Sequence, residues 1–206
     1  MSSDRDVLTD TEARAYLGIG PADYRYADVL PIAVTAVSRK LDEMVGPIVA
    51  GTAGTITGEL HDGGMRYVWL DQSPVLSVTQ VVEYDETTAG TLTAETNATK
   101  PDSAYRVELA TGKVLRRSQN ATVRFPDGID NVSVSYVCGR YTSTATVDDR
   151  FKFAAGVMLK SNWRMFEASV ASVGEFDAPH LSFPSFAVPR AVKEWLADEW
   201  RQGRGF

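Results

Sequence analysis

The side chains that most often carry metal or nucleophilic chemistry are scarce in this sequence: two histidines, His61 and His180, and one cysteine, Cys138. No H-E-x-x-H, H-x-x-E-H or paired C-x-x-C spacing surrounds them, so no metal site is expected. His61 precedes Asp62-Gly63-Gly64, a turn sequence, and reads as a solvated loop histidine. A Ser–His–Asp triad is assembled in space and spacing does not exclude it, but the G-x-S-x-G elbow is absent. Gly18-Ile19-Gly20-Pro21 is too short, and closed by proline, to cradle a phosphate, and there is no Walker A pattern. The carboxylate pairs Asp42-Glu43 and Asp148-Asp149 fall on a solvated helical face and at a helix start, where the helix dipole favours acid. No catalytic constellation emerges, and neither an enzymatic role nor a cofactor is expected.

Arg116-Arg117, with the scattered Arg140, Arg150 and Arg164, are the residues that could touch nucleic acid. The chain holds 21 Lys+Arg against 27 Asp+Glu, a net charge of −6, which is the wrong sign for wrapping phosphates. No aromatic residues interleave these arginines, so a solvated or intersubunit face is expected. Cys138 alone cannot form an internal disulfide. The acidic start MSSDRDVLTD has no apolar h-region. No apolar run approaches the roughly 20 residues of a membrane span, so a soluble protein is expected.

One stretch resists a bland reading. Val188, Val192, Trp195 and Leu196 share a face, flanked by Trp200, in a helix that Pro189 opens and that runs over Arg190–Arg201. A terminal helix frays unless it docks. It either folds back on its own core or acts as an arm in another subunit's groove, and its tryptophans and arginines favour the arm.

The elements that position these residues follow from hydrophobic spacing. In Asp148–Val170, the residues Val147, Phe151, Ala155, Met158, Leu159, Asn162, Phe166 and Val170 fall on one face, with Lys160, Arg164 and Glu167 opposite. In Tyr26–Val45, the residues Tyr26, Leu30, Ala33, Val34, Val37, Leu41 and Met44 do the same. Two such stripes should pack together. Pro31 implies either a helix capped by Asp28 or a longer helix bent there, and Gly46-Pro47 ends it. A short first helix over Thr9–Leu17 carries a capping box, Thr9 with Glu12. Between the long helices, Tyr67–Leu70, Val75–Tyr84, Tyr105–Leu109, Val114–Arg117, Ala121–Phe125 and Val132–Val137 read as strands, with a tight hairpin over Glu108–Lys113. Thr87–Thr99 reads as an exposed loop or an extended hairpin arm. The expected class is α+β: a small helical bundle with an inserted antiparallel β-rich region and a C-terminal helical arm. Its parts are a helical core over 1–50 and 143–171, a β-rich insertion over 51–142, a linker over 172–189 and an arm over 190–206.

Taken in order, several segments carry a resemblance: Thr9–Ile19 (TDTEARAYLGI), Ser38–Gly46 (SRKLDEMVG), Pro74–Val81 (PVLSVTQV), Val132–Tyr141 (VSVSYVCGRY) and Val188–Arg201 (VPRAVKEWLADEWR). The set resembles the head–tail connector, or adaptor, proteins of long-tailed bacteriophages. That resemblance implies a structural virion protein at the head–tail junction. It would be a subunit of a dodecameric ring that docks on the portal, extends the DNA channel without gripping DNA, and presents a platform to a stopper or tail-completion protein. It also implies portal contact through Val188, Val192, Trp195, Leu196 and Trp200. The alternative from another class is a small intracellular ligand-binding or regulatory module with a pocket in the β-rich region.

Overall fold

The computed structural model describes residues 3–24, 26–86, 88–171 and 188–202, with the side chains at 165–171 and 200–202 left aside. The fold is α+β. The chain divides into a helical unit, Met1–Val45 with Ser143–Arg201, and a β-rich unit built on Gly46–Thr142.

In the helical unit, α1 (Asp10–Leu17) starts at the expected cap. The Thr9 backbone N–H donates to Glu12 Oε2 at 2.8 Å, and the Glu12 N–H donates to Thr9 Oγ1 at 3.2 Å. Gly18 ends the helix at φ 72°, a conformation that suits glycine. Helix α2 (Val29–Val45) begins beyond Asp28, with Pro31 in its first turn, where proline costs no hydrogen bond. It buries Leu30, Val34, Val37, Leu41 and Met44, the stripe read from the sequence. Helix α3 (Asp149–Ala171) buries Phe151, Ala154, Ala155, Met158, Leu159 and Trp163. The expected stripe members Phe166 and Val170 lie outside the described side chains.

Helix α3 packs against both α1 and α2. Tyr26 meets Trp163 edge-to-face at 5.1 Å between ring centres. Gly156, in the middle of α3, is explained by α1: a Cβ there would lie 2.5 Å from the Tyr16 ring. Lys152 Nζ reaches back to Glu12 Oε1 at 2.7 Å, so the capping-box carboxylate also ties α1 to α3.

The acidic N-terminal stretch is core rather than tail. Val7 and Leu8 are buried, and so is Asp6. Asp6 Oδ2 accepts from the Ser3 N–H at 2.8 Å and from Thr35 Oγ1 at 3.1 Å, while the buried Ser38 hydroxyl accepts from the Val7 N–H at 3.0 Å. Burial raises the Asp6 carboxyl above the usual carboxylate range, and these donors only partly offset it.

The final helix differs from the single element expected over Arg190–Arg201. Helix α4 (Arg190–Trp195) follows Pro189, breaks at Leu196, and α5 (Ala197–Gln202) resumes. Apart from Val188 and Pro189, the linker expected over 172–189 lies outside the described residues.

The β-rich unit holds two sheets. One is antiparallel and ordered β1-β9-β3-β4, from β1 (Thr55–His61), β9 (Val132–Cys138), β3 (Val75–Asp85) and β4 (Thr88–Thr91). The other is ordered β2-β7-β6-β5, from β2 (Tyr67–Trp69), β7 (Lys113–Ser118), β6 (Ala104–Glu108) and β5 (Thr93–Ala94), with β8 (Ala121–Thr122) on β7. All its pairings are antiparallel except β5 with β6.

Strict alternation in β9 sends Val132, Val134, Tyr136 and Cys138 inward, where they meet Val68, Val81, Tyr105, Val114 and Phe125 from both sheets in one core. The expected strands are present, that over Ala121–Phe125 reduced to the two residues of β8, and the Glu108–Lys113 hairpin joins β6 to β7. Strand β1 is an addition. The Thr-rich tract holds β4 and β5, which makes its start the hairpin arm and not a plain loop, with Leu92 buried beneath it.

Candidate interaction surfaces

The residues singled out for chemistry are used inside the fold. In the β-rich unit, Tyr136 is fully buried; its OH donates to Glu59 Oε2 at 2.6 Å and accepts from the Gln72 N–H at 3.2 Å. Burial, reinforced by the neighbouring Glu59 carboxylate, pushes the Tyr136 hydroxyl above the ordinary phenol range. Glu59 Oε1 also accepts from the Asp71 N–H at 2.9 Å, and Cys138 Sγ donates to Gln72 Oε1 at 3.1 Å. His61 Nε2 lies 2.8 Å from Glu59 Oε1 without hydrogen-bond alignment. His61 is therefore no solvated loop histidine: it ends β1 half-buried beside a carboxylate, because strand alternation places Glu59 and His61 on one face. The cluster fastens the segment after β2 to strands β1 and β9. His180 lies outside the described residues. Among the described residues, no group of three His, Cys, Asp or Glu side chains could hold a metal ion.

The paired arginines are not a solvated face either. Arg116 is buried and bidentate to Glu83, at 2.7 Å from Nε and 2.8 Å from Nη2, and it also donates to the Asp102 and Ala104 carbonyls. Arg117 Nε donates to Glu95 Oε2 at 2.9 Å, and Lys100 Nζ to Glu95 Oε1 at 2.8 Å. The two cations hold the Glu95 carboxyl down at about 2. A cleft of about 370 Å³ lined by Glu95, Lys100, Tyr105 and Arg106 opens beside them. In the helical unit, Arg150 Nη2 pairs with Glu199 Oε1 at 2.6 Å, and Arg164 is exposed.

The C-terminal candidates separate into two sets. Val192 and Leu196, expected to face a partner, are each 1% exposed inside their own unit. Their i, i+4 spacing gives α4 a stripe that packs on α3, a surface tethered on the same chain. Trp195 stays 56% exposed, its ring edge-to-face with Phe153 at 4.6 Å. Val188 is half-buried, and the Trp200 side chain lies outside those described. A separate apolar groove of about 210 Å³ runs along α2 and α3, lined by Ile32, Ala36, Leu159 and Trp163.

Two further surfaces belong to the β-rich unit, and sequence reading missed both. Register places Tyr67, Leu115 and Arg106 in one row across β2, β7 and β6, and Trp69, Lys113 and Glu108 in the next. Directly opposed residues share a face, so these rows form the outer side of the sheet, while Val68 and Val114 between them face the core. Lys113 Nζ sits 4.5 Å from the centre of the Tyr67 ring and 5.5 Å from that of Trp69. The missed signal was the aromatic–Val–aromatic alternation of Tyr67-Val68-Trp69.

The other surface is an acidic end. Asp62 Oδ1 accepts from the Asp130 N–H at 3.0 Å, the Gly63 N–H donates to Gly128 O at 2.9 Å, and Asn131 Nδ2 donates to Tyr84 O at 3.2 Å. Gly63 is required there, since a Cβ would collide with the Pro126 carbonyl. These bonds gather the turn after β1, the loop before β9 and the end of β3. Ile129 stands 85% exposed on that loop, with Asp127 and Asp130 beside it.

No family model and no curated protein matches the sequence. Among solved structures, the chain is similar to a chain from the neck of an empty GTA particle computed with C6 symmetry. The TM-score is 0.59 at 15% identity, covering 97% of this chain and 92% of that one. At that identity the likeness is one of fold, and it extends over both units.

Proposed function

We propose that this chain is a structural subunit of the neck of a phage-like particle. It is a head-to-tail adaptor that forms a homo-oligomeric ring, docks on a portal, extends the DNA channel and offers a platform to a stopper or tail-completion protein. The observation that carries this reading is the end-to-end fold likeness to a chain from a particle neck computed with C6 symmetry. The ordered motifs that resemble phage adaptors point the same way, and a dodecamer is compatible with six-fold symmetry. The role is non-enzymatic: the Tyr136–Glu59 and Arg116–Glu83 groups satisfy one another inside the β-rich unit. Among the described residues, no helix is long and apolar enough to cross a membrane.

Portal contact is assigned to Val188, Trp195 and Trp200, with Val192 and Leu196 seating α4 so that Trp195 is presented outward. The net charge of −6 suits a wall past which DNA slides. The test is co-sedimentation of the purified chain with portal-bearing, tailless capsids of its own particle, followed by imaging. A band with the capsids and a ring below the portal are expected. A chain that stays in the supernatant and leaves no density at the neck overturns the assignment.

A further inference from the structure

We propose that copies of this chain bind one another through two surfaces of the β-rich unit: the acidic end carrying Ile129 seats on the aromatic–basic face carrying Trp69 of a second copy. This rests on the ring reading above and names the surfaces that would build the ring.

The two surfaces are complementary. Trp69 is 48% exposed, an unusual position for an indole unless something covers it. Lys113 stands beside it in the same row with Glu108 beyond, and Arg106 lies on the same sheet face one row over on β6; neither cation has an acidic partner at ion-pair distance among the described residues. In a chain with net charge −6, whose arginines at 116 and 117 are neutralised internally, such a face is selective for an acidic partner. The chain itself supplies one. Ile129 is an apolar knob touching almost nothing in its own copy. Asp127 and Asp130 flank it, and Asp85 and Glu86 lie at the neighbouring end of β3; all four are exposed and without a basic partner among the described residues.

The knob is also pre-organised. The Asp62–Asp130, Gly63–Gly128 and Asn131–Tyr84 hydrogen bonds fix the loop before any partner arrives, which lowers the ordering cost of association. A face of edge-to-face aromatic rings carrying Lys113 and Arg106, and an apolar knob flanked by carboxylates, match in polarity and in charge. The net negative field weighs against nucleic acid as the occupant.

The test is sedimentation velocity of the full chain over a concentration series. Alongside it, carbodiimide coupling of mixed light and isotope-labelled copies reads intermolecular links between Lys113 and the acidic end. Ile129→Lys, and Lys113→Glu with Arg106→Glu, should each weaken self-association roughly a hundredfold, and Ile129→Lys should leave the melting temperature unchanged. Asp85→Lys with Glu86→Lys should weaken it as well, and mixing this variant with the Lys113/Arg106 reversal should restore assembly through the swapped charges. A wild-type chain that stays monomeric throughout, variants that assemble as well as wild type, or a single-stranded oligonucleotide that quenches Trp69 on binding overturns the proposal. The capsid co-sedimentation separates the two readings. If the chain self-associates through this contact but ignores capsids, only the neck assignment falls; if it joins capsids and Ile129→Lys changes nothing, only this interface falls.

Discussion

Seating of α4 on its own unit makes a sharp prediction for two neighbouring residues. Leu196 is 1% exposed, and cutting it to alanine leaves a hole where a buried side chain stood. Buried Leu→Ala changes cost about 2–5 kcal/mol, the upper values belonging to sites that cannot collapse. Here one wall of the hole is the six-residue helix α4, which can settle inward, so about 2–3 kcal/mol is expected. Trp195 is larger but 56% exposed, and the ring contact it keeps is the edge-to-face meeting with Phe153 at 4.6 Å. Such a pair contributes about 0.5–1.5 kcal/mol.

The smaller residue should therefore matter more to stability. Followed by far-UV circular dichroism on heating, Leu196→Ala should lower the melting temperature by about 5–10 °C and Trp195→Ala by about 2–4 °C, at roughly 2–4 °C per kcal/mol for a chain of this size. Binding to portal-bearing capsids below both transitions should show the reverse order: retained by Leu196→Ala, lost by Trp195→Ala. If Leu196→Ala melts with the wild type, or Trp195→Ala is the more damaging, α4 is not seated as described and the whole stripe returns to being a partner surface.

Other consequences are as direct. Gly156→Ala should destabilise the helical unit by about 1–2 kcal/mol in denaturant titration: alanine gains about 1 kcal/mol of helix propensity, but its methyl collides with Tyr16, and overpacking costs more. Arg116→Met should cost about 3 kcal/mol by leaving the half-buried Glu83 without its bidentate partner, and adding Glu83→Met should recover much of it. Because the Glu95 carboxyl is held at about 2 against 4.5 unfolded, its contribution is present above about pH 4.5 and fades as pH falls toward 2. Glu95→Gln should flatten that part of the stability–pH curve. Asp6 has the opposite sign: burial raises its pKa, so its charge opposes folding increasingly as pH rises, and Asp6→Asn should help stability more at pH 7 than at pH 4.

Hydrophobic period located the long helices, each of which buries one face, and Val-, Tyr- and Thr-rich composition between turns located the strands Val75–Tyr84 and Val132–Val137. It failed where burial and period part company. The N-terminal segment looks acidic, yet Asp6 is held by Ser3 and Thr35 while Val7 and Leu8 enter the core, and three irregular residues carry no period to read. Strand β1 was missed because Gly58, at φ 68°, sits in a register shift between Ile56 and Glu59 that breaks its alternation. The last helix was drawn whole because nothing in Glu-Trp-Leu-Ala-Asp announces a break at Leu196. Trp195 is exposed, while its neighbours in the same stripe satisfy the chain's own α3. A one-dimensional stripe does not say whose surface will cover it.

Charge follows the same logic. Composition lists arginines and acids as interchangeable units of a −6 balance, but the fold spends them unequally. Arg5, Arg14, Arg116, Arg117 and Arg150 are committed to Asp42, Asp10, Glu83, Glu95 and Glu199 inside their own units. The remainder that a partner meets includes Lys113 and Arg106 on the face that carries Trp69, and carboxylates around Ile129 at one end. An acidic protein can thus hold a locally basic docking face, and the sign of its total charge speaks only to partners large enough to average over it, such as duplex DNA. A small knob of its own kind meets the local field instead, so the proposed contact between copies by opposite charges is compatible with the proposed passage of DNA along a net-negative surface.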